Sequence, residues 1–76
     1  MPYEIQAIEK RVKTSSDGTC YSYTIIHCAY EKEGVIGYCV ENFYCGPNVD
    51  VSGFNIGDKV LFLYNKYGKI AEIRAV

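Results

Sequence analysis

The sequence has no excess of either charge. Eight Lys and Arg stand against nine Asp and Glu, for a formal net charge of −1. That balance excludes a general electrostatic pull toward nucleic acid or acidic membranes, while leaving room for local patches. Long apolar runs are also missing. The longest, Val60-Leu61-Phe62-Leu63-Tyr64, is far too short to cross a bilayer as a helix. The opening MPYEIQ has neither a basic n-region nor an apolar h-region, so no secretory signal is expected and the chain reads as cytoplasmic, with no membrane partner. No close cysteine pair occurs. Cys20, Cys28, Cys39 and Cys45 are spaced by eight, eleven and six residues, whereas a small zinc site generally needs two thiolates brought together by one tight turn. Reduced thiols, and no metal, are the expectation in that compartment. The glycines fall at turns and match neither G-x-G-x-x-G nor P-loop spacing, so no nucleotide cofactor is expected. Solenoid-length repeats and low-complexity tracts are absent as well.

What is present is a chain of 76 residues, one domain over 1–76, with apolar residues at 49% and eight tyrosines. Tyrosine and the β-branched residues favour strands. Short alternating segments separated by turn signals predict an all-β protein. Strand one is expected over 3–13. Its alternation changes parity between Ala7 and Ile8, as a bulge would require. Asp17-Gly18 then marks a turn. Strand two is expected over 20–31 and strand three over 35–44, with Lys32 and Glu33 in a type I turn and Gly34 in the left-handed position of a G1 bulge. Asn65-Lys66-Tyr67-Gly68-Lys69 repeats that chemistry between strand four, 59–64, and strand five, 70–76. The segment between Cys45 and Asp58 is too rich in Gly, Pro, Asn and Asp for a long helix. Phe54 and Ile56 are expected to plug the end of the molecule.

A three-stranded meander followed by a C-terminal hairpin resembles the small five-stranded OB barrel, with an SH3-like barrel as the alternative. The resemblance rests on strand order alone, and a fold does not specify a function.

The hairpin turn at Gly34 would pair Glu31 with Val35. It would then set Tyr30 against Ile36, Cys28 against Tyr38 and Ile26 against Val40. Neighbouring strand residues point to opposite faces, so the same register splits Cys28 from Cys39 and leaves His27 opposite Cys39. A histidine beside a thiol can activate it as a nucleophile. A dyad also needs a cleft and an oxyanion donor, which the sequence does not name, and a catalytic role is not expected. The same face would carry Tyr21, Tyr23, Ile25, His27, Glu41 and Phe43, with Tyr23 opposite Phe43. These six form the predicted binding face for a protein partner. Lys10, Arg11 and Lys13 border the first turn and Lys66 and Lys69 the last, so a second expectation is single-stranded nucleic acid held by a basic rim and stacked aromatics. Strand four is apolar on both faces, which admits a homodimer through Val60–Tyr64.

Overall fold

The computed structural model describes residues 2–76. Five strands follow one another: β1 (Tyr3–Thr14), β2 (Cys20–Tyr30), β3 (Cys39–Cys45), β4 (Lys59–Tyr64) and β5 (Ile70–Ala75). They form one antiparallel sheet in the order β3-β2-β1-β4-β5, with no helix among the described residues. The all-β class, the meander and the C-terminal hairpin are as the alternation predicts. The closed barrel is not formed: β3 and β5 are the two edges of an open sheet, and no ladder joins them. At twelve residues, β1 spans about 40 Å at roughly 3.3 Å per residue. Its length accounts for a molecule 46 Å long and about half as wide.

The parity change in β1 is a real bulge, one position earlier than predicted. Register shifts between Ile5 and Ala7, leaving Gln6 as the extra residue. Ile5 then lies against Cys28 and Ile8 against Ile26 on one face, while Ala7 turns to the other face opposite His27. Beside the bulge the Ile5 N–H donates to the Asp58 carbonyl at 2.9 Å, and the Gly57 N–H donates to the Ile5 carbonyl at 2.8 Å. The connection after β3 is thereby tied to the middle of the sheet.

The buried cluster comprises Ile5, Ile26, Cys28, Phe43, Cys45, Val60, Phe62 and Ile73. Tyr3, partly buried, packs against it, its ring edge-on to Tyr30, Phe43 and Phe62 at centroid distances of 5.2, 4.8 and 5.7 Å. Phe43 of β3 stacks on Phe62 of β4 at 3.9 Å. Contacts of this kind add to area burial, and they hold the two sides of the open sheet together where no backbone ladder does. Val49, Val51 and Phe54 of the connection pack on the cluster, while Ile56 stays exposed. Phe54 therefore covers the core and Ile56 does not.

Two hairpin turns share one geometry: the turn at Asn65–Lys69 is the one expected, but its counterpart is at Gly18 rather than Gly34. Ser15 donates its N–H to Thr19 at 2.8 Å and accepts from Gly18 at 3.0 Å; Asn65 does the same with Lys69 and Gly68 at 2.8 and 3.0 Å. Gly18 and Gly68 take φ of 87° and 75°, a region that penalises a β-carbon. Gly34 lies in a turn too, with Val35 N–H donating to Lys32 at 3.2 Å. That turn sits within a longer loop, 31–38, which a second left-handed glycine, Gly37, helps to close.

The longer loop changes the register. Tyr30 pairs with Cys39, Cys28 with Glu41, Ile26 with Phe43 and Thr24 with Cys45. Relative to the predicted pairing β3 has moved by three residues, and an odd shift turns every side chain to the opposite face. The gain is burial of Phe43 and Cys45. The cost is that Ile36, Tyr38 and Val40, expected to lie against Tyr30, Cys28 and Ile26, are exposed.

The β4–β5 pairing also differs. Extended from the turn, a regular ladder pairing Tyr64 with Ile70 would set Phe62 against Glu72, but a shift between Leu63 and Tyr64 sets Phe62 against Ile73, Leu61 against Arg74 and Leu63 against Glu72. Val60 and Phe62 are buried, while Leu61 and Leu63 remain 42% and 38% exposed, so β4 is buried on one face rather than two.

Candidate functional site

On β2 the odd-numbered residues Tyr21, Tyr23, Ile25, His27 and Ala29 lie across from Lys13, Arg11, Glu9, Ala7 and Glu4 of β1. The β3 residues that complete this outer face are Val40, Asn42 and Tyr44. Of the six residues predicted for the face, Tyr21, Tyr23, Ile25 and His27 share it. Phe43 does not: it is 5% exposed and belongs to the core. Glu41 pairs with Cys28, on the core side of β3 and at its solvent margin. Tyr44 stands opposite Ile25, where Glu41 was expected, and Asn42 opposite His27, where Cys39 was expected. Ile25, 2% exposed between Glu9 and Tyr44 in the ladder, forms the floor of the face rather than its contact surface. Tyr21 is 39% exposed and Tyr23 half-buried.

His27 links three strands. Its Nδ1 lies 2.7 Å from Asn42 Oδ1 on β3 and its Nε2 lies 3.0 Å from Glu9 Oε1 on β1. The second oxygen of Glu9 accepts from Arg11 Nε at 2.7 Å. The Arg11 and His27 hydrogen bonds hold the Glu9 carboxyl below the usual carboxylate range. Arg11 Nε is thus engaged within the sheet. Cys39 lies opposite Tyr30, three positions further along the ladder, so the predicted His27–Cys39 pair does not form. Burial pushes the thiols of Cys28 and Cys45 up to about 11, which leaves them protonated and unreactive at neutral pH.

Beside this face an open groove of about 990 Å³ runs along β3 toward the β4–β5 turn. Tyr21, Tyr23 and Lys13 border it from the first hairpin, Tyr44 from β3, and Tyr64 and Lys69 from the second hairpin. Of the five predicted cations, Lys13 and Lys69 reach it. Lys10 lies on the other face opposite Thr24, and the Lys66 ammonium sits 5.2 Å from the centroid of the Tyr67 ring. The lining also takes in Glu41 and Phe43, so the groove meets both faces of β3. Among the described residues, no group of three or more His, Cys, Asp or Glu side chains is placed to hold a metal ion.

The chain matches no family model, no curated protein and no solved structure.

Tyr44, Tyr64, Asn42 and Glu9 are the site residues that sequence reasoning missed. One signal pointed to Tyr44. Phe43 and Cys45 share parity, and treating Cys45 as an apolar core residue places Phe43 inside with it and Tyr44 outside.

Proposed function

We propose that this protein is a non-catalytic binding module that holds a segment of a protein partner in the groove along β3. The observation that carries this reading is the convergence of Tyr21, Tyr23, Tyr44 and Tyr64 on one open groove. Tyrosine supplies large amphipathic contact area at little conformational cost, and it is enriched in recognition surfaces for that reason. The strand order supports an OB-like relationship: opened between its third and fifth strands, an OB barrel reads 3-2-1-4-5, the order observed. The ligand surface of such barrels lies on strands two and three between the 1–2 and 4–5 loops, where this groove runs.

A second reading follows from Lys13 and Lys69 standing beside the same tyrosines. Cations on phosphates with bases stacked on aromatics would suit single-stranded nucleic acid. A salt titration separates the two. Binding that falls steeply with salt concentration indicates counterion release from phosphates; salt-tolerant binding of a protein segment supports the leading reading. Replacing Tyr21 and Tyr44 together by Ala should abolish either kind of binding without unfolding the chain, since both are exposed. Retained affinity in that double variant would place the site elsewhere.

Self-association through Val60–Tyr64 would bury Leu61 and Leu63. Sedimentation of the wild type beside a Leu61→Lys/Leu63→Lys variant reads this directly, and a wild type of monomer mass at all concentrations removes it.

A further inference from the structure

We propose that the groove receives an extended acidic segment of another protein, which adds to β3 as a further strand. This deepens, and rests on, the reading of the groove as a protein-binding site.

Five successive residues of β3, Glu41 to Cys45, line the groove. Successive side chains on a strand point to opposite faces. A surface that meets all five therefore lies along the edge of the strand rather than on one face. That edge has no ladder partner, because β3 is the terminal strand of the sheet. An unpaired edge presents a row of backbone N–H and C=O groups, a template for another extended chain. In recognition by strand addition the main-chain bonds supply affinity, and alternate side chains find their pockets on either side. Tyr44 lies on the outer side of this edge, and the start of β5, Ile70 and Ala71, borders the groove beyond it.

The chemistry of the guest follows from the charges at the rim. Lys13 and Lys69 both line the groove, and neither belongs to an ion pair among the described residues. Glu41 is the one acidic residue in the lining. A segment of alternating apolar and polar residues bearing carboxylates near its ends complements this rim. A basic segment meets two uncompensated ammonium groups.

The test uses the full chain, labelled with ¹⁵N, and three short blocked peptides. The first is Asp-Thr-Val-Thr-Val-Thr-Asp, the second has Lys at both ends, and the third is the Asp-ended peptide N-methylated at alternate residues. The expected result is saturable shifts with slowed hydrogen exchange at the amides of Glu41 to Cys45, caused by the Asp-ended peptide alone. Lys13→Glu and Lys69→Glu should each weaken that binding about two- to fivefold, the range of an exposed ion pair. Spectral dispersion checks that each variant is folded. If the Asp-ended peptide shifts the tyrosines but leaves β3 exchange unchanged, strand addition is wrong while the groove remains a protein site. Should a short oligothymidylate saturate the groove when no peptide does, both readings fall. Protection that grows with protein concentration alone would make a second copy of β3 the occupant and overturn the acidic guest.

Discussion

The cysteines and Phe43 show how much depends on single side chains here. Cys28 and Cys45 are fully buried, whereas Cys20 is exposed and Cys39 half-buried. Ellman's reagent at neutral pH should titrate Cys20 and Cys39 in the native protein and reach Cys28 and Cys45 only after denaturant is added. Four equally fast thiols would contradict the register that buries two of them. The same burial predicts alkaline sensitivity. With folded-state values near 11 against an ordinary 9.0, the unfolded chain releases those protons first. Their contribution is whole below pH 9 and lost as pH rises toward 11, so the urea midpoint should fall through that window, and a Cys28→Ala/Cys45→Ala variant should show a shallower fall. Asp17 behaves in the opposite sense. Hydrogen bonds from Ser15 and Thr19 hold its carboxyl down at about 2, from an ordinary 3.8. Its contribution is present above pH 3.8 and lost as pH falls toward 2. An Asp17→Ala variant should be less stable than wild type at neutral pH and converge with it near pH 2. Phe43→Ala removes the ring stacked on Phe62 and should cost about 3–5 kcal/mol. At roughly 0.05–0.15 kcal/mol of stability per residue, a chain of 76 residues has about 4–11 kcal/mol in all, so the variant should lose a large share of it, read as a much lower urea midpoint by circular dichroism.

At the scale of strands and turns, Gly68 and Gly18 are the positions that define hairpins. Gly68→Ala places a β-carbon at φ 75° and should lower stability by about 1 kcal/mol, read as a reduced denaturation midpoint. A nuclear Overhauser contact between Ile26 and Phe43, in place of one between Ile26 and Val40, would check the β2–β3 register. These elements also show what was legible beforehand. β4 was readable to the residue, and β1, β2 and β5 to within one, because alternation and the flanking turns agreed. The bulge in β1 was visible as a parity change, since Ile5 and Ile8 both need the core. The β2–β3 register was not. Lys32-Glu33-Gly34 has the local chemistry of a tight hairpin, and local chemistry cannot register that Phe43 finds Phe62 across the sheet. That distant contact outweighed Ile36, Tyr38 and Val40, and it carried half of the candidate site with it. Tyr21, Tyr23 and His27 were placed correctly on β2, while their partners on β3 were displaced by three residues, which put Asn42 and Tyr44 on the face in place of Glu41 and Phe43.

For the whole molecule, the decisive property is that the sheet stays open. A closed barrel would have consumed the edges of β3 and β5 and left only a face for recognition. The open sheet leaves an edge, a groove and a ring of tyrosines together. Strand order could be anticipated from connection lengths, but closure depends on the coil of the sheet, which the alternation of residues does not encode.

The ladder between β1 and β4 is two residue pairs long, Tyr3 with Val60 and Glu4 with Lys59. On its far side Val60 is paired with Ala75 of β5. The strands nearest the two chain ends thus flank the same residue. A pull applied through Tyr3 and Ala75 would load their ladders from neighbouring ends, so backbone bonds would open one after another, as in a zipper, rather than all together in shear. The short β1–β4 seam would part first, supported by the Ile5 bonds to the connection and by side-chain packing such as the Tyr3–Phe62 and Phe43–Phe62 contacts. In an optical trap the meander and the C-terminal hairpin should separate at low force, making this protein a weak mechanical link whatever its thermal stability.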